Sequence, residues 1–365
     1  ESADTLESAQ ILDQDKFVLV YLHNAHHVVK VVSLDGKVQR TASLPTIGSV
    51  SSFSGRRKDS RSFFSFQSFT HPPSIFELNL ADASVKLIHQ PKIAFDPEDF
   101  VTRQVGFQSK DGTRIPMFMV HQPDLPLNGQ NPTYLYGYGG FNISLKPRFS
   151  PANIAWLEMG GIFAQPTLRG GGEFGRDWHQ AGMLSKKQSV FDDFIAAAHY
   201  LQRNDYTSPA RLAIGGGSNG GLLVGAVMTQ QPQLFGAAIP RVGVLDMLRY
   251  HKFTIGHAWI PEYGSSADPD MFKVLRAYSP LHNIQAGSHY PPTLVMTGDH
   301  DDRVLPGHSY KFAATLQRGQ GGDAPILIRV DSKAGHGAGK PIAKRIDEAT
   351  DVWTFLSKSL GMAHQ

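Results

Sequence analysis

Residues 211–228, RLAIGGGSNGGLLVGAVM, crowd six glycines into eleven positions around a single serine, Ser218. An apolar run leads in and a run of good helix formers leads out, so the glycines sit where a strand hands over to a helix. Gly216, Gly217, Ser218, Asn219 and Gly220 spell G-x-S-x-G in the strand–turn–helix context of a nucleophile elbow. Such a turn is so tight that neighbouring side chains would collide with it. Glycines remove those Cβ atoms, permit the strained backbone and leave the serine Oγ projecting above a sheet, beside a helix N-terminus. A phosphate-cradling loop is the competing reading, but no lysine follows the glycines. A glycine-rich turn with an incidental serine is the plainer one.

A serine hydroxyl attacks poorly until a base takes its proton, so the elbow calls for a histidine and an orienting carboxylate later in the chain. In this kind of fold they come in the order acid, then histidine, each in a loop after a late strand. TLVMTGDHDDRV ends a strand at Gly298 and offers Asp299, Asp301 and Asp302 in the loop. PILIRVDSKAGHGAGKP follows the next strand with His336, set between Gly335 and Gly337. There are 16 histidines in the chain, so position and not residue type singles this one out. Spacing does not choose among the three aspartates, one of which is free to cap the helix that follows.

The rest of the chain supplies a sheet for the turn to stand on. TYLYGYGG, GIFAQPTL, RLAIGG, FGAAIPRVG, TLVMTG and PILIRVD read as strands, interleaved with helices near SVFDDFIAAAHYLQRN, GLLVGAVMTQQ, SYKFAATLQ and KRIDEATDVWTFLSKSL. This alternation predicts an α/β fold, a mostly parallel sheet covered on both faces, with ligands at the carboxyl ends of its strands. VTRQVGFQSKDGTRIPMFMVHQ, just before it, reads as a hairpin turning at Asp111-Gly112.

The first 94 residues have another character, with strand-like runs KFVLVYL, HVVKVVSL, SFFSFQSF and SIFELNL and no helical pattern. VVKVVSLDGKV and SIFELNLADASVKLI share one order of strand, leucine, Asp-containing turn and valine, with Leu34 and Leu80 46 residues apart. That period is near the roughly 40–50 residues of a propeller blade, and chance likeness of two hairpins is the plainer alternative. Two blades do not close a ring of about four or more. The change falls at PKIAFDPEDF, which places a boundary near residue 95: a partial β-propeller of about two blades over 1–94 and a catalytic domain over 95–365.

YLYGYGGFNIS, LRGGGEFG, GGGSNGGLL, TIGHAWIPEYG, YSPLHNI, DHDDRV and KAGHGAGKP, in this order and spacing, resemble the prolyl oligopeptidase family of serine peptidases. The resemblance runs through residues 95–365. It implies an α/β-hydrolase domain preceded by the last blades of a β-propeller, and cleavage of short peptides after proline. Carried over residue by residue, it implies Ser218 as nucleophile, Asp301 as orienting acid and His336 as base. Tyr138 would join the backbone N–H of Asn219 in an oxyanion hole, the alternative being a core aromatic. Trp259 would stack on the substrate proline, with Phe141, Val244, Tyr263 and Val304 completing an apolar pocket. Arg303 would bond the carbonyl before the proline, unless it only pairs with Asp301 or Asp302.

No metal or organic cofactor is implied. An oligopeptidase B-like enzyme cleaving after basic residues would call for carboxylates in the pocket, where this chain has aromatic and aliphatic side chains. An esterase of the same fold would lack blade repeats. A non-catalytic binding module would normally have lost the serine or the histidine.

Composition narrows the partners. With 35 basic and 32 acidic residues interspersed, the chain presents no broad cationic field for nucleic acid or lipid headgroups. No apolar run approaches the roughly 18 residues that cross a bilayer, so a soluble protein of the cytoplasm or bacterial periplasm is expected. Zero cysteines exclude disulfides, thiolate-held metals and a thiol nucleophile. Because the family's propeller has about seven blades, the expected partner is a further amino-terminal propeller portion of the same protein.

Overall fold

The computed structural model describes residues 4–337 and 339–362. Two four-stranded antiparallel sheets come first. One is built from β1 (Thr5–Leu12), β2 (Lys16–His23), β3 (His26–Ser33) and β4 (Val38–Thr41), the other from β5 (Ser49–Ser54), β6 (Arg61–Gln67), β7 (Ser74–Asn79) and β8 (Val85–His89). Each pairs its strands in simple sequence order, as a blade does. Alternation sets the packing. Val18, Val20, Val29 and Val31 from one blade meet Val50, Phe64, Phe66 and Phe76 from the other in a shared core. The 46-residue repeat therefore marks equivalent third strands, although burial does not follow it: Leu34 is exposed and Leu80 buried.

An eight-stranded sheet follows, from β9 (Val101–Gln108), β10 (Arg114–His121), β11 (Thr133–Tyr136), β12 (Ile162–Pro166), β13 (Leu212–Gly217), β14 (Ala237–Arg241), β15 (Thr293–Gly298) and β16 (Ile326–Asp331). Its order is β16-β15-β14-β13-β11-β12-β10-β9, with β9 and β10 as an antiparallel hairpin beside six parallel strands. The helices are α1 (Pro151–Glu158), α2 (Arg176–Gln180), α3 (Gln188–Arg203), α4 (Asn219–Gln230), α5 (Ile260–Tyr263), α6 (Pro269–Tyr278), α7 (Gly307–Gly319) and α8 (Ile342–Ser359).

Successive strand residues point to opposite faces, so β10 sends Met117 and Met119 into one core and Phe118 and Val120 into the other. The first core is closed by α3, α4 and α7 and the second by α1 and α8. In the second, the Trp156 and Trp353 rings stack with centroids 5.1 Å apart, and their N–H groups donate to the carbonyls of Ile162 (2.9 Å) and Ala152 (2.8 Å). The blades lean on this face. Phe69 lies against Phe118 with centroids 5.5 Å apart, and Lys146 pairs with Glu7 at 2.7 Å. Among the described residues no helix is long and apolar enough to cross a membrane.

Parallel strands share one carboxyl end, and that geometry decides where chemistry gathers. The loops after β11, β13, β14, β15 and β16 all emerge there.

Candidate active site

β13 ends at Gly217, and Ser218 carries the chain into α4 with φ 59° and ψ −117°, a conformation side chains avoid. Close approach makes the outer motif glycines obligatory. A Cβ on Gly216 would sit 2.4 Å from the Gly220 carbonyl oxygen, and one on Gly220 would sit 2.5 Å from that of Gly137. Gly217, next to the serine, has nothing nearer than 3.9 Å. The Ser218 N–H donates to the Arg241 carbonyl at 2.9 Å, tying the turn to the end of β14.

The Tyr138 side chain, from the loop after β11, lies beside that of Ser218 and interacts with it. Burial pushes Tyr138 up to about 12, so its hydroxyl stays a donor at neutral pH. The Asn219 N–H opens α4, where an amide has no acceptor within its own helix. Its side chain is fully engaged: Nδ2 donates to the Tyr138 carbonyl at 2.5 Å, and Oδ1 accepts from the Tyr263 hydroxyl at 2.8 Å. Tyr138 and the Asn219 N–H, the two donors expected of an oxyanion hole, both adjoin Ser218, one through its side chain and the other as the next residue.

The three aspartates have three different situations. Asp301, buried, takes His336 Nδ1 on Oδ2 at 2.7 Å and the backbone N–H groups of Arg303 (3.0 Å) and Val304 (2.9 Å) on Oδ1. Asp299 instead accepts from the Ala334 N–H at 3.2 Å, while its own N–H donates to the Asp331 carbonyl at 3.1 Å. It splints the loop after β15 to the loop after β16. Asp302 is exposed, and α7 begins after Pro306 with no side-chain cap, so none of the three caps that helix. His336 shares with Gly217 the lining of a cavity of about 520 Å³. Among the described residues no hydrogen bond joins it to Ser218.

The apolar positions come together as an aromatic chain. Phe141 meets Tyr263 edge-on at 5.4 Å, Tyr263 meets Tyr250 edge-on at 5.3 Å, and Tyr250 lies parallel to Trp259 at 6.3 Å. Val244 and Val304 are buried in the same core. Tyr250 is the link the sequence reading missed. Arg303 is exposed and makes no ion pair among the described residues, while its carbonyl accepts from Thr254 Oγ1 at 3.0 Å. No group of three or more side chains among the described residues is placed to hold a metal ion.

A second omission lies behind this pocket. Glu262 is buried, with Oε1 accepting from the Phe141 N–H at 3.0 Å and Oε2 2.8 Å from His179 Nε2. Lys187, with no exposed surface, places Nζ 3.7 Å from Glu262 and donates to the Gly139 carbonyl at 2.8 Å. Burial pulls its ammonium down to about 8.

Comparison with known proteins shows the family and the fold. The sequence profile of the Prolyl oligopeptidase family matches residues 147–363, and that of the prolyl oligopeptidase N-terminal beta-propeller domain matches residues 1–91. A prolyl endopeptidase of Elizabethkingia meningoseptica is 48% identical over 95% of this chain and 49% of its own length. One from Dictyostelium discoideum is 43% identical over 98% of this chain and 48% of its own. A solved structure from work on two prolyl endopeptidases superposes with a TM-score of 0.94 at 45% identity, covering all of this chain and 54% of that one. Prolyl oligopeptidase B from Galerina marginata, bound to a 35mer hydrolysis and macrocyclization substrate, has a TM-score of 0.94 at 38% identity, covering all of this chain and 52% of that one. The chain spans about half the length of the curated relatives it matches.

Proposed function

The chain belongs to the prolyl oligopeptidase family, and from that premise we propose that it is a serine endopeptidase hydrolysing short peptides on the carboxyl side of proline. We assign residues 1–94 to a partial propeller and 95–365 to the catalytic domain. The observation that carries the reading is the Asp301 carboxylate, which orients His336 with one oxygen and fixes the backbone of Arg303 and Val304 with the other. One buried acid thereby ties the base to the wall of the pocket.

The chemistry is acyl transfer in two halves. His336 takes the proton from Ser218 as Oγ attacks the carbonyl carbon of the proline residue. Tyr138 and the Asn219 N–H receive the oxyanion, each such preset donor contributing about 10²–10³ in rate. The imidazolium then protonates the departing amine, and a water activated by the same histidine releases the acid. Trp259 offers a flat face to the pyrrolidine ring, a selectivity of shape and dispersion.

A basic residue at the cleavage position would need a free carboxylate in the pocket. Glu262, next to Tyr263, has both oxygens engaged by Phe141, His179 and Lys187, which favours proline over arginine or lysine. The blades point to a partner as well. Phe63 and Ile75 stand exposed on the face of β6 and β7 away from the shared core, and further propeller sequence of the same protein is the surface that fits them.

Matched chromogenic peptides ending in proline, arginine or alanine, with fluorophosphonate labelling alongside, test the reading. Cleavage after proline and a single labelled residue, Ser218, are expected. Arginine cleaved faster than proline, or no label on Ser218, would overturn it.

A further inference from the structure

The loop from Tyr138 to Phe141 carries both the oxyanion donor and one wall of the pocket, and its backbone is held by side chains at three points in four residues. The Tyr138 carbonyl accepts from Asn219, the Gly139 carbonyl from Lys187, and the Phe141 N–H donates to Glu262. Such anchoring is needed because Phe141 and Asn142 both lie in the left-handed region, at φ 57° and 56°. Non-glycine residues persist there only where the surroundings over-determine them. Two of the anchors trace to adjacent residues. Glu262 grips Phe141 directly, and Tyr263 orients the Asn219 amide that grips Tyr138. Glu262 also lies next to Lys187, whose buried ammonium would otherwise face the protein interior without an opposite charge.

We propose, resting on the proline-cleaving reading, that Glu262 is a positioning residue. Its carboxylate, paired with Lys187, sets the oxyanion donor Tyr138 and the proline-facing ring of Phe141 together from one buried anchor. It does not touch substrate. It acts on rate and on selectivity through the same loop, which a merely structural residue would not do.

The test measures kcat and KM of the intact enzyme on matched peptides with proline or alanine at the cleavage position. Glu262→Leu, apolar and unable to accept, is expected to lower kcat about 30-fold and the proline-over-alanine preference at least tenfold. Glu262→Gln keeps an oxygen for the Phe141 N–H and is expected to hold that preference within threefold. An unchanged preference in Glu262→Leu, or equal losses in both variants, overturns the proposal. Should Glu262→Leu not fold, Glu262→Met, closer to glutamate in length and equally unable to accept from the Phe141 N–H, takes its place. A retained preference there overturns the proposal equally. A wild-type enzyme without proline preference sinks the functional reading itself, whereas a proline-preferring wild type beside an indifferent variant sinks only the role of Glu262.

Discussion

The two sides of the site are built in opposite ways. Ser218 stands on a turn enclosed by backbone, with Gly216 and Gly220 in near contact with neighbouring carbonyls and Asn219 and Tyr138 packed around them. His336 stands on a loop with room around its glycines: among the described residues a Cβ on Gly337 would meet nothing within 4 Å, and one on Gly335 only the His300 carbonyl at 3.8 Å. Among the described residues its imidazole makes one hydrogen bond, to Asp301. Ser218 is positioned by shape, and His336 is positioned by a hydrogen bond. A substitution that changes volume should therefore injure the first, and one that changes hydrogen bonding should injure the second.

The largest effect expected tests whether both sides belong to one machine. Ser218→Ala and His336→Ala should each reduce kcat by about 10⁶, and the double variant by no more than either alone, because groups acting as a unit are not additive. Additive losses in turnover assays would break the unit into two independent parts.

Next comes the bond that holds the histidine. Asp301→Asn keeps an oxygen for the Arg303 and Val304 N–H groups but can present an amide N–H to Nδ1, imposing the wrong tautomer. A loss of about 10⁴ in kcat is expected with little change in melting temperature. A large fall in thermal stability without that loss would assign Asp301 to folding.

On the serine side, Tyr138→Phe should lower kcat by about 10²–10³ and leave KM nearly unchanged, since the donor acts on the developing oxyanion. A rise in KM alone would make Tyr138 a binding residue.

The smallest effects sharpen the contrast most directly, because one substitution is placed on both sides. Gly220→Ala should cost about 1–3 kcal/mol by overpacking against the Gly137 carbonyl. Gly335→Ala, in open space, should stay within about 0.5 kcal/mol. Equal costs in denaturant titrations would remove the distinction between an enclosed turn and an open loop.

Legibility in the sequence followed the range of the interactions. The elbow was readable because its constraint is local: glycines at fixed offsets and a strand-to-helix context. The parallel sheet was readable from alternating periodicities, and the paired blades from a repeat. The short helix α1 escaped because Ile154, Trp156 and Leu157 are all buried and leave no polar stripe to set a period. The helix α6 had a usable signal that went unread, since Asp268 accepts from the N–H groups of Asp270 and Met271 ahead of Pro269 at the first helical turn. Choosing Asp301 over Asp299 and Asp302 required knowing which loop lies opposite, and only the resemblance supplied it. Glu262 was invisible for the same reason. Phe141, whose N–H it accepts, is 121 residues away in sequence, and no local pattern announces such a contact.

The stacked indoles of Trp156 and Trp353 have a practical sequel. All four tryptophans of the chain lie beyond residue 150, with none in either blade. Light absorbed at the red edge of the indole band therefore reports on the large sheet and its helices alone, while backbone dichroism sees everything. Following denaturation by both signals at once would separate the melting of the blades from that of the large sheet and its helices, without adding a label.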